Sequence, residues 1–465
     1  MPEIDYQEFL NQKQITAPPV GIDIDILTIN PMLFNFQRDI TKWALKKGRA
    51  AIFAGCGLGK TPMQLEWSYR VSEYTGGMVL ILAPLSVAGQ TVEEGKKFGI
   101  EVTLCRCQDD CKPGINITNY EMLEHFNLEL FAGIALDESS ILKSYNGSFR
   151  TRLIELCKQI PFRLACTATP APNDYMELGN HAEFLGVMTR AEMLSMFFVH
   201  DGGDTSKWRL KGHAVKKFWE WVASWAVMLQ KPSDLGYSDE GYELPPLIMH
   251  QVTINVDKPN TGGLFAIEAL TLQERQTARR ETTEDRAEAC AEIVNKSDES
   301  WVTWCNLNNE SELLTKLINE SVEILGSDSA DKKERVARDF IFGVVKKLNS
   351  KPSIFGYGMN WQHCHNIAFV GLSDSFEDLY QAIRRCWRFG QKSEVHVWIV
   401  VAETEGAVVA NIKRKEVDFE KMLSQMISAT QEITKANIQS TRRDTTEYRP
   451  EKEMTLPEWL KGEAA

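Results

Sequence analysis

Short, almost continuously apolar runs recur along the chain and alternate with longer segments of helical character. The apolar runs cover residues 50–55, 78–84, 101–106, 133–138 and 162–169, and later 247–254, 301–306, 322–326, 352–357, 366–371 and 395–401. Strands that are buried on both faces of a parallel sheet have this composition. Because the strands alternate with helices and the rhythm occurs twice, we predict two doubly wound, parallel-sheet α/β domains in tandem.

The length of 465 residues suits two or three domains. The segment between the two α/β series differs from them in composition. Residues 216–230 (KKFWEWVASWAVMLQ) are predicted to be helical, with aromatic side chains that favour core packing over base stacking. A loop rich in Pro, Gly and Asp follows. We predict an N-terminal extension over 1–30, a first domain over 31–190, a helical connection over 191–245, a second domain over 246–428 and a polar tail over 429–465.

The formal net charge is −12, which argues against a protein that coats nucleic acid through bulk positive charge. It leaves room for a local basic channel, because phosphate binding depends on where the cations lie. The first residues lack the basic start and apolar run of a signal peptide, and no apolar run approaches 18 residues. Ten scattered cysteines fit reduced thiols. We expect a soluble, cytoplasmic protein that is neither secreted nor inserted in a membrane.

The segment AGCGLGKT (54–61) follows one predicted strand and opens a predicted helix. Glycines in such a turn let backbone N–H groups approach phosphates, Lys60 can reach the β and γ phosphates, and the Thr61 hydroxyl can bind Mg²⁺. The strict pattern has Gly where Ala54 stands. The alternative interpretation is an ordinary Gly-rich turn with an exposed lysine.

Two further segments carry charges suited to phosphoryl transfer. The run GIALDESS (133–140) ends an apolar strand in Asp137, which could hold Mg²⁺, and Glu138, which could polarise an attacking water. Within the helix-like stretch DLYQAIRRCWRFGQ, Arg385 and Arg388 are three residues apart and would share a helical face, from which they could stabilise the charge on a γ-phosphate. A solvated turn and a basic surface helix are the alternatives.

Seven segments together resemble the ordered motifs of superfamily-two helicases, and most closely the Swi/Snf-type DNA translocases. They are QR (37–38), AGCGLGKT (54–61), LAPLSVAGQ (82–90), LDESSILKS (136–144), CTATPAPND (166–174), GYGMN (356–360) and QAIRRCWRFGQ (381–391). The resemblance spans about residues 31–425. The linker region is compact, which is similar to small phage or prokaryotic members of the family. It departs from the family at Ser139 and Ser140, where Ala-His or Gly-His is familiar, and at Trp387, where His is frequent.

The resemblance implies two RecA-like domains with ATP and Mg²⁺ between them. It implies that Gln37 reads adenine, that Arg385 and Arg388 are arginine fingers supported by Gln391, and that Gly358 contributes to the cleft. The phosphates and Mg²⁺ would be bound by Gly57, Leu58, Gly59, Lys60, Thr61 and Asp137, with Glu138 as water activator.

The resemblance also implies that Thr167 and Thr169 couple the nucleotide state to DNA, and that Ser86 and Asn119 contact the nucleic-acid backbone. The expected function is an ATP-dependent motor on double-stranded DNA. The alternatives are a strand-separating DNA or RNA helicase, although the sequence has no obvious wedge, and an ATPase subunit that acts on a nuclease or a recombination or replication protein.

Three cysteines in 105–111 and HCH at 363–365 lack the paired spacing of a zinc site.

Overall fold

The computed structural model describes residues 16–85, 87–143, 147–172, 174–201, 204–255, 279–355, 359–373 and 375–439. This part of the chain forms an α/β fold with a seven-stranded sheet, a six-stranded sheet and a separate two-stranded hairpin. Below, the first half means the chain up to residue 245, and the second half means the chain from residue 246.

The sheet of the first half is parallel throughout, with the strand order β3-β4-β2-β5-β6-β1-β9. Its strands are β1 (Arg49–Ala54), β2 (Met78–Ala83), β3 (Val102–Leu104), β4 (Ile115–Asn119), β5 (Phe131–Asp137), β6 (Phe162–Thr167) and β9 (Ala226–Leu229). Its helices are α1 (Asn35–Lys47), α2 (Lys60–Thr75), α3 (Ala88–Lys97), α4 (Ser148–Cys157), α5 (Leu178–Leu185), α6 (Arg190–Phe197) and α7 (Val215–Ala223). The central strands are buried on both faces, as their continuous apolar composition predicts.

The sheet of the second half is also parallel, with the order β10-β15-β14-β11-β13-β12. Its strands are β10 (Leu247–Ile254), β11 (Trp301–Trp304), β12 (Ser321–Glu323), β13 (Lys347–Ser350), β14 (Asn366–Val370) and β15 (Val395–Ala402). Its helices are α8 (Thr283–Val294), α9 (Asn308–Leu317), α10 (Ala330–Ile341), α11 (Pro352–Phe355), α12 (Phe376–Ile383) and α13 (Gly406–Gln439). The structure thus confirms an α/β fold with two parallel sheets.

Two of the predicted elements are wrong. Residues 352–357 were expected to form a strand, but Pro352 begins the short helix α11, and the strand is the preceding β13. Proline suits the first turn of a helix because it has no N–H to leave unpaired there. Residues 216–230 are helical only as far as Ala223. Strand β9 then pairs with β1, so the region predicted as a helical connection supplies an edge strand to the first sheet.

An antiparallel hairpin, β7 (Phe198–Asp201) with β8 (Asp204–Leu210), stands outside both sheets. It falls within the predicted helical connection, and no sequence signal indicated it. The His200 and Trp208 rings face each other across the two strands, with centroids 3.7 Å apart. The aromatic residues of the following helix are buried in the core, as the helical spacing predicted.

Helix α13 joins the two halves. It starts after the last strand of the second sheet and runs for 34 residues through the predicted boundary at 428/429. It reaches the first half through Tyr175 Oη, which donates to Gln425 Oε1 at 2.8 Å, and through Asn437 Nδ2, which donates to Ala223 O at 3.2 Å. Within the part of the chain that the structure describes, no helix is both long and apolar enough to cross a bilayer.

A fully buried ion cluster ties together several elements of the second half. The Arg286 guanidinium lies 2.8 Å from Glu310 Oε1 and 3.5 Å from Glu405 Oε2, and all three side chains are inaccessible to solvent. Arg279 adds a second cation beside Glu405. Gly371 leaves the space for the guanidinium, because a Cβ there would lie 2.3 Å from an Arg286 nitrogen.

Candidate active site

A cavity of about 340 Å³ lies between the two halves, at the carboxyl ends of strands β1 and β5. Residues named in the sequence analysis from both halves line it: Gln37, Gly57, Gly59, Lys60, Thr61, Asp137, Glu138, Arg385 and Arg388. In open parallel sheets, ligands bind at the carboxyl ends of the strands. The fold therefore brings the three charged motifs, which are far apart in sequence, around one space.

The loop between β1 and α2 depends on its glycines. Gly57 and Gly59 have φ angles of +88° and +78°, which residues with a Cβ rarely adopt. A Cβ on Gly59 would also lie 2.2 Å from Gln37 Nε2, and one on Gly57 would lie 2.8 Å from the backbone nitrogen of Phe389 in the second half. The loop is consequently held close to α1 on one side and to the arginine-bearing loop on the other.

Lys60 and Thr61 open helix α2 at the cavity. Lys60 Nζ donates to the carbonyl oxygens of Ala54 and Gly55, at 2.8 and 3.3 Å, which keeps the cation over the loop. The Leu58 side chain is buried in the hydrophobic core, so its backbone is the part that can meet a ligand. The N–H groups of a helix start and a nearby ammonium group together favour phosphate.

Gln37 lies at the cavity wall, but both ends of its amide have protein partners. Its Nε2 donates to Leu58 O at 3.0 Å, and its Oε1 accepts from the Phe34 backbone at 3.0 Å. The rings of Phe34, Tyr242 and Phe389 meet beside it, with centroids 4.9–6.4 Å apart. Gln37 therefore holds the β1–α2 loop in place. The three aromatic rings beside it form a surface on which a flat base could stack.

Asp137 ends strand β5 in a buried position. Burial, followed by the charge of Glu138, raises the pKa of its carboxyl from 3.8 to about 7, although Lys60 opposes the shift. A divalent cation would offset this electrostatic cost, so the carboxylate and the Thr61 hydroxyl fit a Mg²⁺ ion that shares its remaining sites with phosphate and water. In the described ranges, no three His, Cys, Asp or Glu residues form a dedicated metal cage.

Glu138 has a strained backbone and a firmly held side chain. Its φ angle is +60°, an uncommon value for a residue other than glycine and typical of functional sites. Its Oε1 accepts hydrogen bonds from the hydroxyls of Ser140, at 3.1 Å, and Thr167. Ser140, one of the two departures in this motif, thus helps to orient the carboxylate.

Thr167 and Thr169 connect this carboxylate to the second half. The Thr167 hydroxyl accepts from Thr169 N at 3.1 Å. The Thr169 hydroxyl donates to Glu377 Oε1 and accepts from Gln381 Nε2, both at 3.4 Å. The two threonines therefore lie on a continuous line of hydrogen bonds between the halves.

Arg385 and Arg388 both point toward the cavity, although helix α12 ends before them at Ile383. The helical face predicted for the pair is therefore wrong, and a turn brings them together instead. Both guanidinium groups donate to Met359 O, at 3.4 and 3.1 Å. Burial, with a smaller contribution from Arg385, lowers the pKa of Arg388 to about 10. Arg385 is buried and Arg388 is half-buried, and two such cations that repel each other favour an anionic ligand.

Gln391 is buried outside the cavity lining. Its Nε2 donates to the carbonyls of Cys364 and Cys386, and its Oε1 accepts from the backbone of Lys392 and Ser393. It therefore stabilises the loop that carries the arginines. Gly358 and Ser86 lie outside the described residues.

A second, larger cavity of about 880 Å³ opens between the halves and shares Glu138 with the first. Asn119 lies on its wall, but its side chain accepts from Met122 N at 3.1 Å and so caps a short 3₁₀ helix. Lys143 and Lys333 contribute cations from opposite halves.

Several cavity and interface residues were missed in the sequence. Glu94 lines the cavity near Arg388, Tyr120 donates to the Asp137 carbonyl at 2.7 Å, and Glu377 bridges the halves. A signal existed for Glu377, because it is four residues before Gln381 and residues at that spacing share a helical face. No family model matches the chain, and no curated protein matches it significantly.

Proposed function

We propose that this chain is an ATP-dependent DNA motor that couples ATP hydrolysis to movement on double-stranded DNA. In this proposal the two α/β halves act as tandem RecA-like domains. The observation that carries it is the shared lining of one cavity by Lys60 and Asp137 of the first half and by Arg385 and Arg388 of the second. A nucleotide bound there would contact both halves at once, so that its binding and loss could open and close the cleft.

Catalysis by these residues needs no covalent intermediate. Lys60 and the loop backbone would hold the phosphates, Glu138 would orient the attacking water, and the arginines would stabilise the charge that develops on the transferred group. Bound Mg²⁺ would neutralise phosphate charge and be held by Thr61 and Asp137. Phosphoryl transfer depends on positioning and electrostatic stabilisation, and these residues are suited to both.

The larger cavity supports a nucleic-acid track beside the nucleotide. It lies between the halves, it adjoins Glu138, and lysines from both halves line it. Three glutamates, Glu121, Glu138 and Glu334, line it as well, and Lys143 is paired with Glu377, so binding of a polyanion would depend on few local cations. The expected substrate is duplex DNA, which the family resemblance favours.

The first test is ATP hydrolysis by the purified full chain with and without duplex DNA, single-stranded DNA and RNA. Lys60→Ala and Arg388→Ala should each abolish stimulated hydrolysis. Arg414→Ala, which removes an exposed arginine of α13, is the matched control and should behave as the unmodified protein does. A folded protein that hydrolyses no ATP under any of these conditions would exclude the motor proposal.

A strand-separating helicase is the second candidate, and the hairpin β7–β8 favours it. An antiparallel hairpin outside both sheets, with the Trp208 ring packed at a tilt against His200, has the form of a wedge, and base stacking on an aromatic ring contributes about 1–3 kcal/mol. Strand displacement that Trp208→Ala abolishes, with ATP hydrolysis retained, would support the helicase. Displacement of a triplex-forming strand without duplex unwinding would support the translocase.

A further inference from the structure

The contact between helix α12 and the first half suggests a role for a residue outside the motifs. We propose that Glu377 is a positioning residue that seats α12, and with it Arg385, against the first half. This inference rests on the proposed function, because the position of the arginine matters only if the cavity takes ATP.

Glu377 lies in the first turn of α12 and is only 7% exposed. Its two carboxylate oxygens contact two different segments of the first half. Oε2 accepts from Lys143 Nζ, just beyond β5, and Oε1 accepts from the Thr169 hydroxyl, just beyond β6. A buried carboxylate is costly unless it is paired, so these contacts favour one separation of the halves.

Helix α12 connects the Glu377 contacts to Arg385 at the cavity. Gln381, one turn after Glu377, donates from Nε2 to the same Thr169 hydroxyl and accepts at Oε1 from Arg385 at 2.9 Å. Arg385 Nε also donates to Gln381 O at 2.9 Å. The guanidinium is therefore fixed to the body of the helix, and a shift of the helix would move it.

The same contacts lead back to the water-orienting carboxylate. Thr169 donates from its backbone to Thr167, and Thr167 donates to Glu138. Glu377 thus lies between Glu138 in the first half and Arg385 in the second. Since a misplacement of about 1 Å can lower a rate about 100-fold, loss of the Glu377 contacts should act on catalysis and leave ATP binding by the β1–α2 loop intact.

The chain offers a contrasting ion pair between the halves. Arg106 and Asp331 lie 3.6 Å apart, but their side chains are 75% and 88% exposed. Exposed pairs contribute little to stability because water and salt screen them. This pair joins the same two halves without burial, so it serves as a matched control.

The experiment measures kcat and KM for ATP hydrolysis on duplex DNA, the dissociation constant of a fluorescent ATP analogue, and the urea midpoint, all with the full chain. Glu377→Ala should lower kcat by about tenfold or more and leave the dissociation constant within about twofold. Glu377→Gln, which keeps the shape and removes the charge, should give a smaller loss in the same direction. Asp331→Asn should match the unmodified protein.

A double-mutant cycle separates positioning from general structural damage. Lys143→Met should lower kcat, and Lys143→Met with Glu377→Ala should be no worse than Glu377→Ala alone, because the two side chains act through one contact. Strictly additive losses, or a kcat of Glu377→Ala within about twofold of the unmodified protein, would overturn the inference. Equal losses of kcat, nucleotide affinity and urea midpoint would also overturn the inference, because they would indicate general structural damage. An unmodified protein without ATPase activity would overturn the proposed function as well.

Discussion

Asp137 should destabilise the protein above acidic pH, and Asp137→Asn should therefore be stabilising. Burial and the neighbouring Glu138 raise the pKa of the carboxyl from 3.8 to about 7. The folded protein then keeps this proton between about pH 4 and pH 7, whereas the unfolded chain releases it. Stability from this group is present below the unfolded pKa and is lost as the pH rises to the folded pKa.

The size of the effect follows from the pKa difference. Each unit corresponds to 1.36 kcal/mol, so a shift of about 3 units predicts a loss of about 4 kcal/mol on going from pH 4 to pH 8. Asparagine cannot ionise and escapes this loss. Relative to its own value at pH 4, the advantage of Asp137→Asn should therefore grow by about 4 kcal/mol at pH 8, while its ATPase activity is lost.

Urea unfolding followed by tryptophan fluorescence at several pH values would measure this difference. Comparison with the unmodified protein cancels the titration of other groups, and Asp331→Asn is the control because it removes an exposed carboxylate. An Asp137→Asn advantage that does not change between pH 4 and pH 8 would refute the reasoning. Excess Mg²⁺ and a nonhydrolysable ATP analogue should reduce the advantage, since they stabilise the ionised carboxylate.

Three other outcomes can be checked independently. Gly59→Ala should abolish binding of a fluorescent ATP analogue, because its Cβ would meet Gln37; Gly76→Ala, also at a positive φ but with open space around it and away from the cavity, should bind normally. Arg286→Ala should lower the free energy of unfolding by about 3–5 kcal/mol by leaving Glu310 buried without its partner; an unchanged urea midpoint would contradict this. Duplex affinity should fall with salt if local cations contact the phosphates, and a flat dependence in a filter-binding titration would argue against such contacts.

Local sequence pattern was enough to predict most strands of the two sheets and the glycine-rich turn between β1 and α2. Most strands of the two sheets coincide with predicted apolar runs, and β10 has the predicted bounds of 247–254, whereas β4 and β9 were not predicted as strands. Strand β13 was missed because its sequence, KLNS, is polar, yet all four residues are buried. The Asn349 amide nitrogen donates there to the hydroxyls of Thr315 and Ser321, and such long-range partners cannot be read from local sequence.

For the candidate site too, local features were predictable from the sequence and tertiary contacts were not. Lys60, Thr61 and Asp137 were predicted from their local spacing to a strand or helix, and all three line the cavity. The convergence of Arg385 and Arg388 was predicted for the wrong reason, since a turn and not a helical face aligns them. The hydrogen-bond partners of Glu138 depend on how β5 and β6 lie side by side, which no single segment of the sequence encodes.

The reach of helix α13 into the first half bears on how the protein is made. Ile438, near the end of that helix, is buried in the hydrophobic core that covers one face of the first sheet. A ribosome must therefore have synthesised nearly 440 residues before the core of the first half is complete. Until then, the nascent chain would present apolar surface that chaperones recognise, and folding would finish only after the end of α13 has left the exit tunnel.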